Sequence, residues 1–136
     1  MNPNRARRLL AAKIAELDPK WDATVVSRPE LNGDLTAQIG HFAPTLATFQ
    51  SGRFQVPVTW WANEGNAVEN VDEFYAALSW DTDSLIYRLA EVEWVGQIEM
   101  RDADSPDEVP QFVRCETVVT IKAGKLPAEP VGSDES

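Results

Sequence analysis

A single cysteine in 136 residues excludes an intramolecular disulfide and any all-cysteine zinc site. There is also only one histidine, His41. A histidine-based triad or metal site needs partners at a recognisable spacing, and His41 in Gly40-His41-Phe42 has none, so it reads as a surface or packing residue. No apolar run approaches the roughly 20 residues that span a bilayer. Glycine is sparse, and Gly52 and Gly65 stand alone, so no phosphate-cradling loop is present. Cations are scarce too: Lys and Arg total 12 against 22 Asp and Glu, for a formal net charge of -10. That balance argues against coating nucleic acid or an anionic membrane, because phosphates attract clustered cations. The opening Asn4-Arg5-Ala6-Arg7-Arg8 is basic, but Lys13 follows Leu9-Leu10-Ala11-Ala12, so no secretory apolar core forms. These absences lead us to expect a soluble, cytosolically made protein.

What is present suits one folded domain. Apolar residues make up 43% and charged residues 25%, and the length is that of a single core. Residues 1–20 carry a balance of +3, whereas residues 62–110 carry Arg88 and Arg101 against thirteen acids, a balance of -11. Such a stretch reads either as a solvated face or as a surface that repels polyanions or meets a basic partner.

Pro3 to Leu17 reads as a helix with Asn2 as cap and proline at the first position. Leu9, Leu10, Ile14 and Leu17 form its apolar stripe, and Asp18-Pro19 ends it. Basic charge in the first turn opposes the helix dipole, which hints that these arginines serve a contact. A short strand follows around Ala23-Thr24-Val25-Val26, then a turn at Pro29 and Asn32-Gly33-Asp34, then a weak strand over 35–40. Thr45–Gln50 and Phe54–Trp60 read as a hairpin across Ser51-Gly52-Arg53. Pro57 lacks an N–H, which predicts an edge position for its strand. Asn70, with Glu73 as capping-box partner, predicts a helix over about 71–90. Val71, Phe74, Tyr75, Leu78, Leu85, Ile86 and Leu89 keep its period, and Ser79–Asp83 is its weak place. A break near Ser79 with a new cap at Asp81 or Thr82 is the alternative. Two alternating strands, 92–100 and 112–121, make a hairpin around an acidic loop. Val95 interrupts the outward face of the first, and Cys115 faces inward from the second as a small hydrophobe. The expected fold is α+β: a mixed or antiparallel sheet of about four or five strands with two helices on one face, spanning residues 1–123. Residues 124–136 read as a disordered acidic tail.

No catalytic or metal constellation emerges. Asp102-Ala103-Asp104-Ser105-Pro106-Asp107-Glu108 resembles a cation loop at first sight. A calcium loop needs glycine at its sixth position and glutamate at its twelfth, and here Asp107 and Val113 stand there. Five tryptophans are many for this length. Trp60 alternates into the core, so Trp61 must face the other way, as a packing residue or a subunit contact.

The order of elements resembles the tail terminator proteins of long-tailed bacteriophages. The resemblance rests on the basic opening helix in Asn4-Arg5-Ala6-Arg7-Arg8-Leu9-Leu10 and the strand Thr24-Val25-Val26-Ser27. It continues through Val56-Pro57-Val58-Thr59-Trp60, the helix in Asp72-Glu73-Phe74-Tyr75-Ala76-Ala77-Leu78 and the strand Glu116-Thr117-Val118-Val119-Thr120-Ile121. It covers residues 4 to 123 and is one of layout, without a diagnostic motif. It implies a structural virion protein with no catalytic residues and no cofactor. Six copies would form a ring, assembled in the host cytoplasm, that caps the tail tube, meets the head–neck connector and lets DNA pass without specific binding. On that expectation Arg5, Arg7, Arg8, Arg28, Arg53 and Trp61 are candidate subunit contacts. Asp72, Glu73, Asp81, Asp83, Asp102, Asp104, Asp107 and Glu108 are candidates for an acidic lumen or partner face. Competing readings are another neck ring protein such as a stopper or adaptor, a small cytosolic α+β domain holding an apolar ligand, and an enzyme.

Overall fold

The computed structural model of the chain describes residues 3–25, 35–40, 52–63, 68–79, 81–103 and 112–127. The first element, α1 (Pro3–Leu17), is the helix read from its apolar spacing. Ala6, Leu10 and Ile14 recur every four residues and are completely buried, as one stripe of a 3.6-residue period requires. The Asp18 N–H donates to the Ile14 carbonyl and the Trp21 N–H to that of Asp18, which turns the chain at Pro19 into β1 (Asp22–Val25).

β1 lies parallel to β2 (Leu35–Ile39), with Ala23 opposite Ala37. β3 (Arg53–Asn63) runs antiparallel to β2, β5 (Phe112–Lys122) antiparallel to β3, and β4 (Val95–Ala103) antiparallel to β5. The sheet order is β1-β2-β3-β5-β4. This mixed five-stranded sheet, with helices packed against it, is the α+β fold that the sequence predicts. The weak-looking strand over 35–40 is an inner strand, and every one of its five residues is buried. The Thr45–Gln50 arm of the expected hairpin lies outside the described residues. Beyond β5, Ala123–Lys125 form one 3-10 turn, and the tail expected over 124–136 falls outside the described residues from 128 onward.

Pro57 does not mark an edge. Its strand is the third of five, flanked by β2 and β5. The missing N–H falls where the β2 ladder ends: the Gly40 N–H donates to the Pro57 carbonyl at 2.7 Å, and a proline cannot return the second bond of such a pair. The Gly40 carbonyl is satisfied by Arg7 instead, whose Nε–H donates to it at 2.8 Å. Gly40 itself is needed for the approach, because a Cβ there would come within 2.9 Å of the Pro57 ring.

The expected helix over 71–90 is two helices. α2 (Val68–Leu78) starts ahead of Asn70, so Asn70 is within the helix and is not its cap. The break falls at Ser79 as the alternative had it, but the cap of α3 (Leu85–Ala90) is Ser84, not Asp81 or Thr82. The Ser84 hydroxyl accepts from the Tyr87 N–H at 3.2 Å and donates to the Ser79 carbonyl at 2.7 Å, tying the new helix to the end of the old one. Among the described residues, three helices therefore pack on the sheet where the sequence predicts two. Ser84→Ala should lower stability by about 1 kcal/mol, read as a shifted denaturant midpoint with an unchanged slope.

The expected strand 92–100 begins later, at Val95. Its pairing with β5 slips between Val95 and Ile98, so Val95 faces Ile121 and Ile98 faces Val119. A one-residue irregularity restores both to the core side, and it is why Val95 breaks the alternation. At Gly96 a Cβ would press on the Thr120 methyl at 3.2 Å.

One core joins these elements. Ala37, Ile39, Val56, Val58, Trp60, Val119 and Ile121 face Leu10, Ile14, Phe74, Leu85, Ile86 and Leu89. At its centre Trp21 meets Trp60 edge-on with ring centroids 5.2 Å apart. The buried Trp60 Nε1–H donates to Thr117 Oγ1 at 2.9 Å, and Thr117 in turn donates to the Val58 carbonyl at 3.0 Å.

Candidate subunit-contact surfaces

The basic and acidic candidates divide by where the fold puts them. Among the basic group, Arg7 turns inward. It sits three residues before Leu10 and seven before Ile14, hence on the buried side of α1, and it is 5% exposed. Its guanidinium donates from Nε to the Gly40 carbonyl and from Nη2 to the Ile39 carbonyl at 3.2 Å. Burial lowers its pKa from the ordinary value, yet a guanidinium stays charged in any protein. This is a structural cation that closes the end of β2, and its burial leaves a neighbouring copy little of Arg7 to touch. Arg5 donates to the Pro127 carbonyl, so the helix start is tied to the end of the described chain. Arg8 and Arg53 are exposed, and their side chains have no partner among the described residues. Arg28 lies outside them.

In the acidic group, Asp72, Glu73, Asp81 and Asp83 are all exposed on α2 and the turn that follows it. Glu73 is partly spent within the chain: Lys20 Nζ lies 2.8 Å from its Oε1. That hydrogen bond, followed by the nearby Asp18 and Glu73 charges, raises the Lys20 pKa above its usual 10.5. The contribution is therefore complete below that usual value and is lost as pH climbs through the raised one. Part of the attraction between the basic start and the acidic middle thus operates inside one chain. The carboxylates of Asp72, Asp81 and Asp83 have no partner among the described residues. Asp102 stands on β4 opposite Glu116 in register, and Asp104, Asp107 and Glu108 lie outside the described residues, as does His41.

Trp61 faces away from the helices, as the alternation required, and is half-buried. Its Nε1–H donates to Gln38 Oε1 at 2.8 Å, and the Arg114 guanidinium lies over its ring at 5.6 Å. Arg114 also reaches Glu116 at 3.0 Å. A polar chain from Glu116 through Arg114 and Trp61 to Gln38 therefore crosses β5, β3 and β2 on the sheet's second face. At its far end, Gln38 Nε2 and Thr36 Oγ1 are buried without a hydrogen-bond partner among the described residues. Sequence reading missed Gln38 and Arg114. Their strand neighbours signal them, since the alternation that sends Trp61 outward also sends out the residues paired with it.

Tyr75 does not join the apolar stripe of α2. It is 59% exposed, the one exposed large hydrophobic among the described residues. Phe74 and Leu78 take the buried side, and the Tyr75 ring rests edge-on against Phe74 at 5.4 Å. The reason is phase: Phe74, Ala77 and Leu78 already fill the stripe, and Tyr75 lies about 100° beyond Phe74.

Among the described residues no three His, Cys, Asp or Glu side chains converge on a metal-sized site, and no helix is long and apolar enough to cross a membrane. Cys115 is buried, with its sulfur 3.9 Å from that of Met100. No protein-family model matches the chain, and no curated protein matches it.

Proposed function

We propose that the chain is the repeating subunit of a ring at the head–tail junction of a long-tailed bacteriophage, a tail terminator. In this reading six copies assemble in the host cytoplasm and become part of the virion. They cap the tail tube, meet the head–neck connector, and let DNA pass without gripping it. The observation that carries it is the division of unspent surface charge. Among the candidate residues, the exposed acids without side-chain partners, Asp72, Asp81 and Asp83, lie on α2 and its following turn, while the exposed cations Arg8 and Arg53 lie on α1 and β3. Opposite charges that are separated on one copy can meet between copies, where they steer and register the contact. A net charge of -10 per chain suits a passage that must not hold phosphates. An opening helix, a strand, the strand that holds Val56–Trp60, a helix that holds Asp72–Leu78 and a closing strand follow one another in the order behind the resemblance, although its single central helix is here divided at Ser79.

Sedimentation velocity with negative-stain imaging tests this. A six-membered ring is the expected species, weakened when about 0.5 M salt screens the contacts. Arg8→Glu combined with Arg53→Glu should raise the dissociation constant about tenfold or more. A chain that stays monomeric at every concentration overturns the reading.

A further inference from the structure

Tyr75 stands outside the core and meets it only through the edge contact with Phe74. Its ring lies open on α2, one turn after the exposed Asp72 and four residues before Ser79, off the side that Phe74 and Leu78 bury. An aromatic face beside a carboxylate is a receptor for a guanidinium: the ring attracts the cation through its quadrupole, and the carboxylate takes the N–H groups. Arginine and tyrosine are also among the residues that most often dominate protein contacts.

The cations of α1 narrow the choice of occupant. Arg7 is buried on the β2 carbonyls. Arg5 is bonded to Pro127. Lys13 is paired with Glu16 at 3.1 Å. Arg8 remains, exposed and with no side-chain partner among the described residues. It sits on a helix of 15 residues that is fixed to the core through Ala6, Leu10 and Ile14, so little backbone freedom is lost when it docks.

We propose that Tyr75 and Asp72 form the seat for Arg8 of a neighbouring copy. The seat rests on the ring reading and gives that ring its central contact. Arg8 and Tyr75 are on different elements, so each copy offers a donor patch and a separate acceptor patch. Such unlike patches join copies head to tail, and head-to-tail contacts generate a ring when the rotation closes.

The experiment is sedimentation velocity on the full chain and its variants, each checked for folding by circular dichroism. Tyr75→Ser should weaken association about tenfold, and Tyr75→Phe, which keeps the ring, by less than about threefold. Arg8→Glu and Asp72→Arg should each weaken association about tenfold, and their combination should recover most of that loss because the exchanged charges meet again. Association that is indifferent to Tyr75→Ser, or a double exchange no better than the single changes, overturns the seat while leaving the ring. A wild-type chain that never associates overturns both. Should Tyr75→Ser fail to fold, the charge exchange on two exposed positions decides the matter.

Discussion

Arg7→Met should lower stability by about 3 kcal/mol, because the buried Ile39 carbonyl and the half-buried Gly40 carbonyl lose a charged donor together. For a chain of this size that corresponds to a fall in the thermal midpoint of roughly 10 °C. The reason lies in β3. Pro57 sits in the middle of the sheet and leaves the Gly40 carbonyl without the ladder bond that any other residue would supply. Arg7 reaches from α1 to fill that place and takes the Ile39 carbonyl as well. This account makes a second, sharper demand. In the Arg7→Met background, Pro57→Ala returns an N–H opposite Gly40 and should restore about 1 kcal/mol. In the wild-type background the same change should bring no gain. A cycle of the four proteins in urea measures the coupling. Equal effects of Pro57→Ala in both backgrounds would show that Arg7 stabilises the chain in some other way.

Trp60→Ala should be the most damaging single change, at about 4 kcal/mol, since a completely buried indole leaves a large cavity. It removes the partner that Trp21 meets edge-on and takes from Thr117 Oγ1 the indole donor it accepts, leaving that hydroxyl only its bond to the Val58 carbonyl. Trp60→Phe separates the two losses. It keeps most of the packing and removes the Nε1–H, and should cost about 1–2 kcal/mol. Thr117→Val approaches the bond from the other end: it keeps the shape but leaves the indole N–H and the Val58 carbonyl both without this hydroxyl, and should cost at least about 1 kcal/mol. Chemical denaturation followed by tryptophan fluorescence reads all three. A Thr117→Val chain as stable as the wild type would refute the idea that this hydroxyl holds Trp60 and β3 in place.

The elements most legible in the sequence are those with an uninterrupted period. α1 announces itself by the spacing of Leu10 and Ile14, and β5 by its alternation from Val113 to Ile121. Local patterning misleads where a tertiary cause breaks it. Pro57 looks like an edge residue because the donor that compensates for it is far away in the chain, in Arg7. Val95 looks out of phase because the β4 ladder contains an irregularity. The serine that caps α3 is hidden behind Asp81, Thr82 and Asp83, each a good cap by type, and only the position of Ser79 ahead of it selects Ser84. Among the surface candidates, the exposure of Arg8 and Asp72 follows from their places off the apolar stripes, that of Asp81 and Asp83 from the turn between α2 and α3, and that of Arg53 from its place at the start of β3. The burial of Arg7 is legible too, three residues before Leu10, but its charge argues for the surface. Tyr75 is hidden by its type, since an aromatic near a helical stripe is usually counted as part of it.

The partnership of β3 with β5 has a consequence for how the chain comes into being. Trp60 and its hydroxyl partner Thr117 are 57 positions apart, and β3 pairs with β5 along its whole length, from Arg53 opposite Lys122 to Asn63 opposite Phe112. During synthesis β3 therefore emerges well before the strand that completes it. Until β5 is made, one border of β3 presents bare peptide groups next to Val56, Val58 and Trp60, the kind of border on which other chains add. Pairing over so long a separation is also slow. The nascent protein is thus most exposed to mispairing in the interval between residue 63 and residue 112, and a message cut short in that interval should yield aggregates in place of a smaller folded product.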